Sequence, residues 1–360
     1  MQSDKKIALG LHVDDEYIRF AWVSIDYPND YKLTSVEISP LLHKKVPEHA
    51  IAWVASNLKA LSGRPLVPPS DIIAISQTTD DIAISFTDTA FKPVTGQSLL
   101  ADIIKASLDK VTADHGVSFI DCTAAVDLRC NDVERQAVKR AIEAAGLHVL
   151  RIINDATASC IGYDLLKLYE GVQECQHGIV VNYCHPAKLT LLNIEEGIFE
   201  IMSTIAVEHS SVEKRLVQLL KKHVEFVSKS DAKGGEVESV VHQKLKDKEW
   251  PQKVRINEVE IRPSKLQELE MYAMEIISEE LLAKLDHRVL NNPKDLKFLI
   301  FCGNEVSAKD VEYCAGLFTE AKVYDADSQS AIVLGLLKQC KILMGLEKQS
   351  DLLICCCFPG

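Results

Sequence analysis

The sequence predicts an α/β protein built as two similar lobes, and three observations carry that expectation. Residues 125–166, AVDLRCNDVERQAVKRAIEAAGLHVLRIINDATASCIGYDLL, read as strand, capped helix, strand, capped helix. An apolar strand, a tight turn and an alternating strand open the chain, and the same pattern recurs from Gly178, about 170 residues later. A solenoid would repeat every roughly 20–50 residues, so that distance fits two lobes. Finally, 360 residues at 47% hydrophobic content suffice for two cores.

Taken in order, KIALGLHVDDEYIRFAWVSID predicts two strands joined by a turn at Asp14 to Glu16, with alternation at Ile18, Phe20 and Trp22. KLTSVEIS is a third strand. Glu48 to Ser62 is helical, with Ile51, Val54, Leu58 and Leu61 on one face. Arg64 to Ser70 holds three prolines and is expected to be irregular. DIIAIS and DIAISF suggest a hairpin, Leu99 to Ala113 a helix, and SFIDCTAAVDL a return to the sheet.

In the central stretch, Asn131 is an N-cap with Glu134 as its capping-box partner. Val133, Ala137, Ala141 and Ala144 form a small-residue face, and Gly146 ends the helix. HVLRII is a buried strand, after which Asn154 and Asp155 cap a helix through Tyr163.

The second half opens with GIVVNYCHPAKLTLLNI and GIFEIMSTIAVE as strands. Ser210 to Val227 is an amphipathic helix, Ser228 to Glu236 a polar break, and Glu236 to Lys248 a helix. VRINEV and EIRP form a strand pair, and Ser264 to Leu290 a long helix. KFLIFCG is a buried strand, Ala308 to Phe318 a helix and KVYDA a strand. Ser328 to Met344 is a closing helix, in which Gly335 signals close packing.

Composition excludes several classes. A net charge of −12 argues against nucleic acid or an anionic membrane as the main partner. MQSDKK has no apolar signal region, and Leu352 to Phe358 is too short an apolar run to span a bilayer. Eleven cysteines, an odd number without regular spacing, fit reduced thiols in a cytoplasmic protein. Cys175, His177, Cys184 and His185 match no compact zinc pattern, so no metal site is expected. The Cys355, Cys356 and Cys357 tail is a poor prenylation match, and no Gly-x-Ser-x-Gly hydrolase motif occurs.

The identities in DVERQAVKRAIEAAGLHVLRIINDATASCIGY go further: the segment closely resembles the one joining the two lobes of the ATPase domain in the 70-kDa heat-shock chaperones. NIEEGIFEIMSTIA is similar to the strand after that family's second phosphate turn, and KFLIFCGNEVSAKDVE to its adenosine-side strand. DADSQSAIVLGLLKQ resembles the second connecting helix, and SDLLI the acidic-leucine linker. The resemblance implies an actin-like, duplicated ribonuclease H-like ATPase fold of two lobes, each split in two. It implies a first lobe over 1–170 (subdomains 1–35 with 94–170, and a shortened 36–93). A second lobe follows over 171–345 (171–208 with 291–345, and 209–290), then a linker-like tail at 346–360 without a peptide-binding domain.

The resemblance also locates a cleft where ATP would lie between two hairpin turns, held by backbone N–H groups, glycines and Mg²⁺-binding carboxylates. The first turn should carry an aspartate, a glycine and two hydroxyl residues. Here stand His12, Asp14, Asp15 and Glu16, with Tyr17 kept. Three acids would face a tetra-anion, each like charge at ~5 Å costing on the order of 3 kcal/mol at a dielectric of ~20. The second turn holds Asn182, Cys184, His185 and Pro186 where the family places an aspartate and glycines. Gly303 is kept and Asn304 follows it, while Cys302 and Val306 replace a glycine and a stacking arginine. Ser239, His242, Gln243 and Lys246 stand at the family's ribose and base positions, and Asp127 replaces its coupling proline.

What survives is Lys59, matching the lysine that positions the attacking water, and Asp155, replacing the connecting glutamate; Gly335 completes the cleft residues. The chain is therefore expected to resemble the atypical, ribosome-associated members. It would be a non-hydrolysing scaffold or co-chaperone in protein folding, with no cofactor. Expected partners are a J-domain co-chaperone, a ribosome-associated complex or another chaperone. The alternatives are a slow ATPase using ATP/ADP with Mg²⁺ through Lys59 and Asp155, and a cleft remodelled for another small ligand or cation.

Overall fold

The computed structural model describes residues 7–14, 16–43, 45–51, 54–55, 57, 73–77, 82–88, 90–168, 175–183, 187–195, 198–207, 209–230, 234–247, 250–251, 253–272, 293–303, 306 and 308–347. Lys59, Asp15, Cys184, His185, Pro186 and Asn304 lie outside them, as do the segment 64–70, the far end of the expected 264–290 helix and the tail from 348.

Two five-stranded sheets repeat one topology. The first is built from β1 (Ile7–Val13), β2 (Tyr17–Ser24), β3 (Lys32–Glu37), a small three-stranded sheet of β4 (Ile73–Gln77), β5 (Ile82–Phe86) and β6 (Val94–Thr95) being inserted, then β7 (Asp121–Val126) and β8 (His148–Asn154). Its strand order is β3-β2-β1-β7-β8, with β7 and β8 parallel to β1 and the first three strands an antiparallel meander. The second has β9 (Gln176–Tyr183), β10 (Ala187–Glu195), β11 (Ile198–Val207), β14 (Leu296–Gly303) and β15 (Lys322–Tyr324) in the order β11-β10-β9-β14-β15. Position for position, the orders are the same. This duplicated α/β topology is the actin-like ATPase fold that the sequence led us to expect.

Helices complete each half in equivalent places. In the first, α1 (Gly96–His115) precedes β7, α2 (Asp132–Ala144) joins β7 to β8, and α3 (Asp155–Gly162) follows β8. α1 starts on Thr95, whose hydroxyl accepts the N–H of Ser98, and ends at Gly116 in the left-handed region. Between β11 and β14 come α4 (His209–Ser228), α5 (Gly234–Asp247) and the hairpin β12 (Val254–Ile256) and β13 (Val259–Ile261). Then α6 (Ala308–Leu317) joins β14 to β15, and α7 (Ala331–Leu343) follows β15.

The chain divides into two compact units. The larger takes residues 1–184, 190–204 and 292–360, so both five-stranded sheets belong largely to it. They are joined because each half's last helix packs across: α3 buries Ala156, Ala158 and Ile161 with Val180, Leu192 and Phe298 of the second sheet. In return, α7 lays Val333, Leu337 and Cys340 on Ala8, Ala21 and Val23 of the first. The smaller unit, residues 185–189 and 205–291, has its own core of Leu216, Leu220 and Val224 on α4, Val237 and Val241 on α5, and Val254, Ile256 and Ile261 on the hairpin. The turn of that hairpin is Asn257-Glu258, both with positive φ, which closes a two-residue loop with the twist of its strands.

Four expectations are corrected. The buried face of α2 is Glu134, Ala137, Val138, Ala141 and Ile142, whereas Val133 is 60% exposed. Glu134 is buried and completes the capping box: its carboxylate accepts the Asn131 N–H at 2.8 Å, and its own N–H donates to Asn131 Oδ1 at 2.9 Å. The break after α4 ends at Gly234 rather than Glu236. α7 begins at Ala331, since Asp327 takes a left-handed φ and the preceding residues form a turn. Residues 51, 54, 55 and 57 are helical, but 48–50 form a tighter 3₁₀ turn after Pro47.

Candidate active-site cleft

The first hairpin turn is closed by its own side chain. β1 and β2 pair down to Val13↔Ile18, with His12 opposite Arg19. Beyond them, Asp14 Oδ1 accepts the N–H of Glu16 at 2.8 Å and of Tyr17 at 2.6 Å. Its own N–H donates to the Tyr17 carbonyl at 3.0 Å. Oδ2 forms an ion pair with Arg19, whose guanidinium lies 5.1 Å over the Tyr17 ring. Asp14 is 6% exposed and Arg19 8%. Burial pulls Arg19 down to about 10, because a shielded charge is harder to keep, yet that leaves it cationic at neutral pH.

This geometry revises the electrostatics expected of the turn. Asp14 is neutralised by a cation of its own chain, so it is not a third bare acid toward the cleft. The revision does not make the turn a phosphate cradle, which needs backbone N–H groups aimed outward at oxygens. The N–H groups of Glu16 and Tyr17 already point at Asp14. The described residues of this turn do not fit a nucleoside triphosphate. His12 is buried on β1, while Glu16 and Tyr17 are half-buried.

A second polar cluster sits where β8 passes into α3. Asp155 Oδ1 accepts the N–H of Ala156 at 2.9 Å, and Oδ2 accepts the Asn182 amide at 2.9 Å. Both residues are buried, Asp155 at 6% and Asn182 at 5% exposure. Each oxygen of Asp155 is thus already engaged by a donor of this chain where the resemblance places a carboxylate of the Mg²⁺ site. Asn154 occupies the cap position but makes no side-chain cap bond; its Oδ1 accepts instead from Arg135, at 2.6 Å. Arg135 also donates to the Cys130 carbonyl at 3.0 Å, tying the start of α2 to the end of β8. Asp127, at the coupling-proline position, is gripped by Arg129 through two side-chain bonds, 3.3 and 3.0 Å long.

The retained glycines answer to backbone packing. Gly303 has φ +110, and a Cβ there would run into the carbonyl of Tyr183 across the β9–β14 pair. Its N–H donates to Ser328 at 3.1 Å. Gly335 lets α7 cross α3, and a Cβ would strike the Ala158 carbonyl. Around this crossing, Thr123 donates to the Leu336 carbonyl at 2.5 Å and Lys338 to the Gly162 carbonyl at 2.7 Å. Val306 is half-buried, and in the smaller unit Ser239 and Gln243 lie on the exposed side of α5.

The structure thus brings Asp14 to Tyr17 together in one turn and Asp155 to Asn182 in another contact, and Gly303 ends the strand beside Tyr183. Sequence reasoning missed Arg19, Arg135 and Lys338. Arg19 was discoverable: a two-strand register through a tight turn sets it opposite His12, next to Asp14. Among the described residues no group of three or more His, Cys, Asp or Glu could hold a metal ion, and no helix is long and apolar enough to cross a membrane.

Comparison with known proteins gives a consistent result. A family model described as Hsp70 protein matches residues 66–288, more than half of the chain. A chaperone protein HscA homolog of Vibrio cholerae serotype O1 is 33% identical over 107 residues, 29% of this chain and 16% of that protein. A heat shock 70 kDa protein of Neurospora crassa is 36% identical over 120 residues, 33% of this chain and 18% of that one. The HscA homolog of Azoarcus sp. (strain BH72) aligns over 268 residues, 70% of this chain and 42% of the relative, at 23% identity. The chain therefore spans less than half the length of each of these relatives.

Proposed function

Because this chain belongs to the Hsp70 family, we propose that its chaperone-type nucleotide-binding fold serves as a non-hydrolysing scaffold or co-chaperone in protein folding. The observation that carries this reading is Asp14, which occupies the turn N–H groups of Glu16 and Tyr17 and is itself paired with Arg19. A phosphate could take the N–H groups of Glu16 and Tyr17 only by breaking the bonds they already make to Asp14. The fold around the turn stays intact, which suits a platform for other proteins.

Candidate partners are a J-domain co-chaperone, a ribosome-associated complex or another chaperone, and the names of the relatives support protein partners in general. A cytoplasmic setting is supported by the buried thiols of Cys122, Cys160 and Cys340, which form no disulfide. The four-part division proposed from the resemblance draws support from the compactness of the smaller unit, which nearly coincides with 209–290.

Calorimetry with ATP and Mg²⁺ tests the scaffold reading. The expected result is no binding in the micromolar range, and micromolar or tighter affinity would reject it. The rival, a slow ATPase, predicts hydrolysis that disappears in Lys59→Ala.

A further inference from the structure

We infer that the Asn182–Asp155 hydrogen bond is a clasp, written into the chain, that holds the two sheets in register without any cation or nucleotide. It deepens the scaffold reading and rests on it for its use, since a platform must keep one shape when nothing occupies its cleft.

Asp155 is the first residue of α3, where the chain leaves the edge of the first sheet. Asn182 is on β9, the middle strand of the second sheet. The 2.9 Å bond between them is buried, so water competes poorly for either partner. Its sign is what matters. An amide N–H facing a carboxylate oxygen attracts as it stands. Two carboxylates at that separation would repel until a proton or a metal came between them. The exchange of one oxygen for one nitrogen turns a ligand-dependent meeting into a ligand-independent one.

The other end of α3 is held as well. The Tyr163 hydroxyl donates to the Ala326 carbonyl, and Lys338 pairs with Asp164 at 2.9 Å besides donating to Gly162. The Asn182 bond is thus the cleft-side half of a two-ended attachment. Asn154 does not compete for it, because its oxygen is turned to Arg135.

Thermal unfolding of the full chain in metal-free buffer at neutral pH tests the clasp with three proteins: wild type, Asn182→Asp, and the exchanged pair Asp155→Asn with Asn182→Asp. The single variant is expected to melt about 4–8 °C lower, and the exchanged pair, which reverses donor and acceptor at equal charge to the single's parent, to regain most of the loss. A single variant as stable as wild type would overturn the clasp, and so would an exchanged pair no better than the single. If the single variant is insoluble, recovery of folded protein by the exchange is the supporting result, and its failure the opposing one. Millimolar MgCl₂ should leave the wild-type midpoint unchanged; a clear rise would mean that Asp155 is open to a cation and would sink the proposal. No arm uses nucleotide, so this outcome and the calorimetric one can fail separately.

Discussion

The crossing of α3 with α7 and the turn between β1 and β2 lie in the same compact unit, and they treat the backbone in opposite ways. At the crossing, glycine is kept: Gly335 admits the Ala158 carbonyl to a place where any side chain would stand. In the turn, acids stand where the resemblance places a glycine and hydroxyl residues, and Asp14 folds back onto the N–H groups of Glu16 and Tyr17. The difference teaches which constraint each region obeys. A helix crossing must satisfy close packing in every molecule at every moment, whereas a phosphate turn needs glycine only if phosphate comes.

The largest effect is expected at the crossing. Gly335→Ala sets a methyl against backbone that has no room to move, and should remove more than about 4 kcal/mol or prevent folding altogether; soluble yield and urea unfolding would show it. A substitution tolerated there would break the comparison. The same crossing should stay closed to reagents. Burial pushes the Cys340 thiol on α7 up to about 12 and raises that of Cys160 on α3 further. Both should resist alkylation in the native protein at mildly alkaline pH, while exposed Cys175 reacts. Mass spectrometry of peptides labelled before and after denaturation reads this directly.

Next comes the ion pair of the turn. Arg19→Ala strands a buried Asp14 and should cost about 3 kcal/mol in chemical unfolding. Adding Asp14→Asn to that variant should return part of it; no recovery would mean that the pair is not what stabilises the turn. Asn131→Ala, which removes the capping box of α2, should cost about 1 kcal/mol, an effect with no bearing on the cleft. The smallest change is expected from Glu16→Gly, within about 0.5 kcal/mol, because the side chain is half-buried and it is Asp14 that accepts the N–H groups of Glu16 and Tyr17. It removes an acid from the turn yet should confer no ATP binding, since Asp14 still holds the turn. Micromolar binding by that variant would show that the Glu16 side chain, and not the bonds of Asp14, keeps phosphate out of the turn.

Local elements were legible in the residues because their causes are local. The Asn131–Glu134 box, the Gly146 stop and the repeated strand–turn–strand follow from capping, φ preference and alternation. Face assignment failed at Val133, since helical spacing does not say which side meets the sheet, and α2 turned Val138 and Ile142 inward. The cap expected of Asn154 failed for a related reason: an arginine nineteen positions earlier claimed its oxygen. Of the cleft, the sequence displayed which residue types had changed, but not what the new ones do.

By itself the sequence determined the α/β class, the duplicated half and the kinship, for these are carried by periodicity and by residue identities along contiguous stretches. Only the tertiary structure decided that Asp155 meets Asn182, that Arg135 takes the Asn154 oxygen, and that Gly303 lies against the Tyr183 carbonyl. Each of those depends on atoms brought together from elements that the chain order does not place side by side. Hydrogen bonds and steric exclusion act over a few ångströms of space, and no pattern along the chain records that distance.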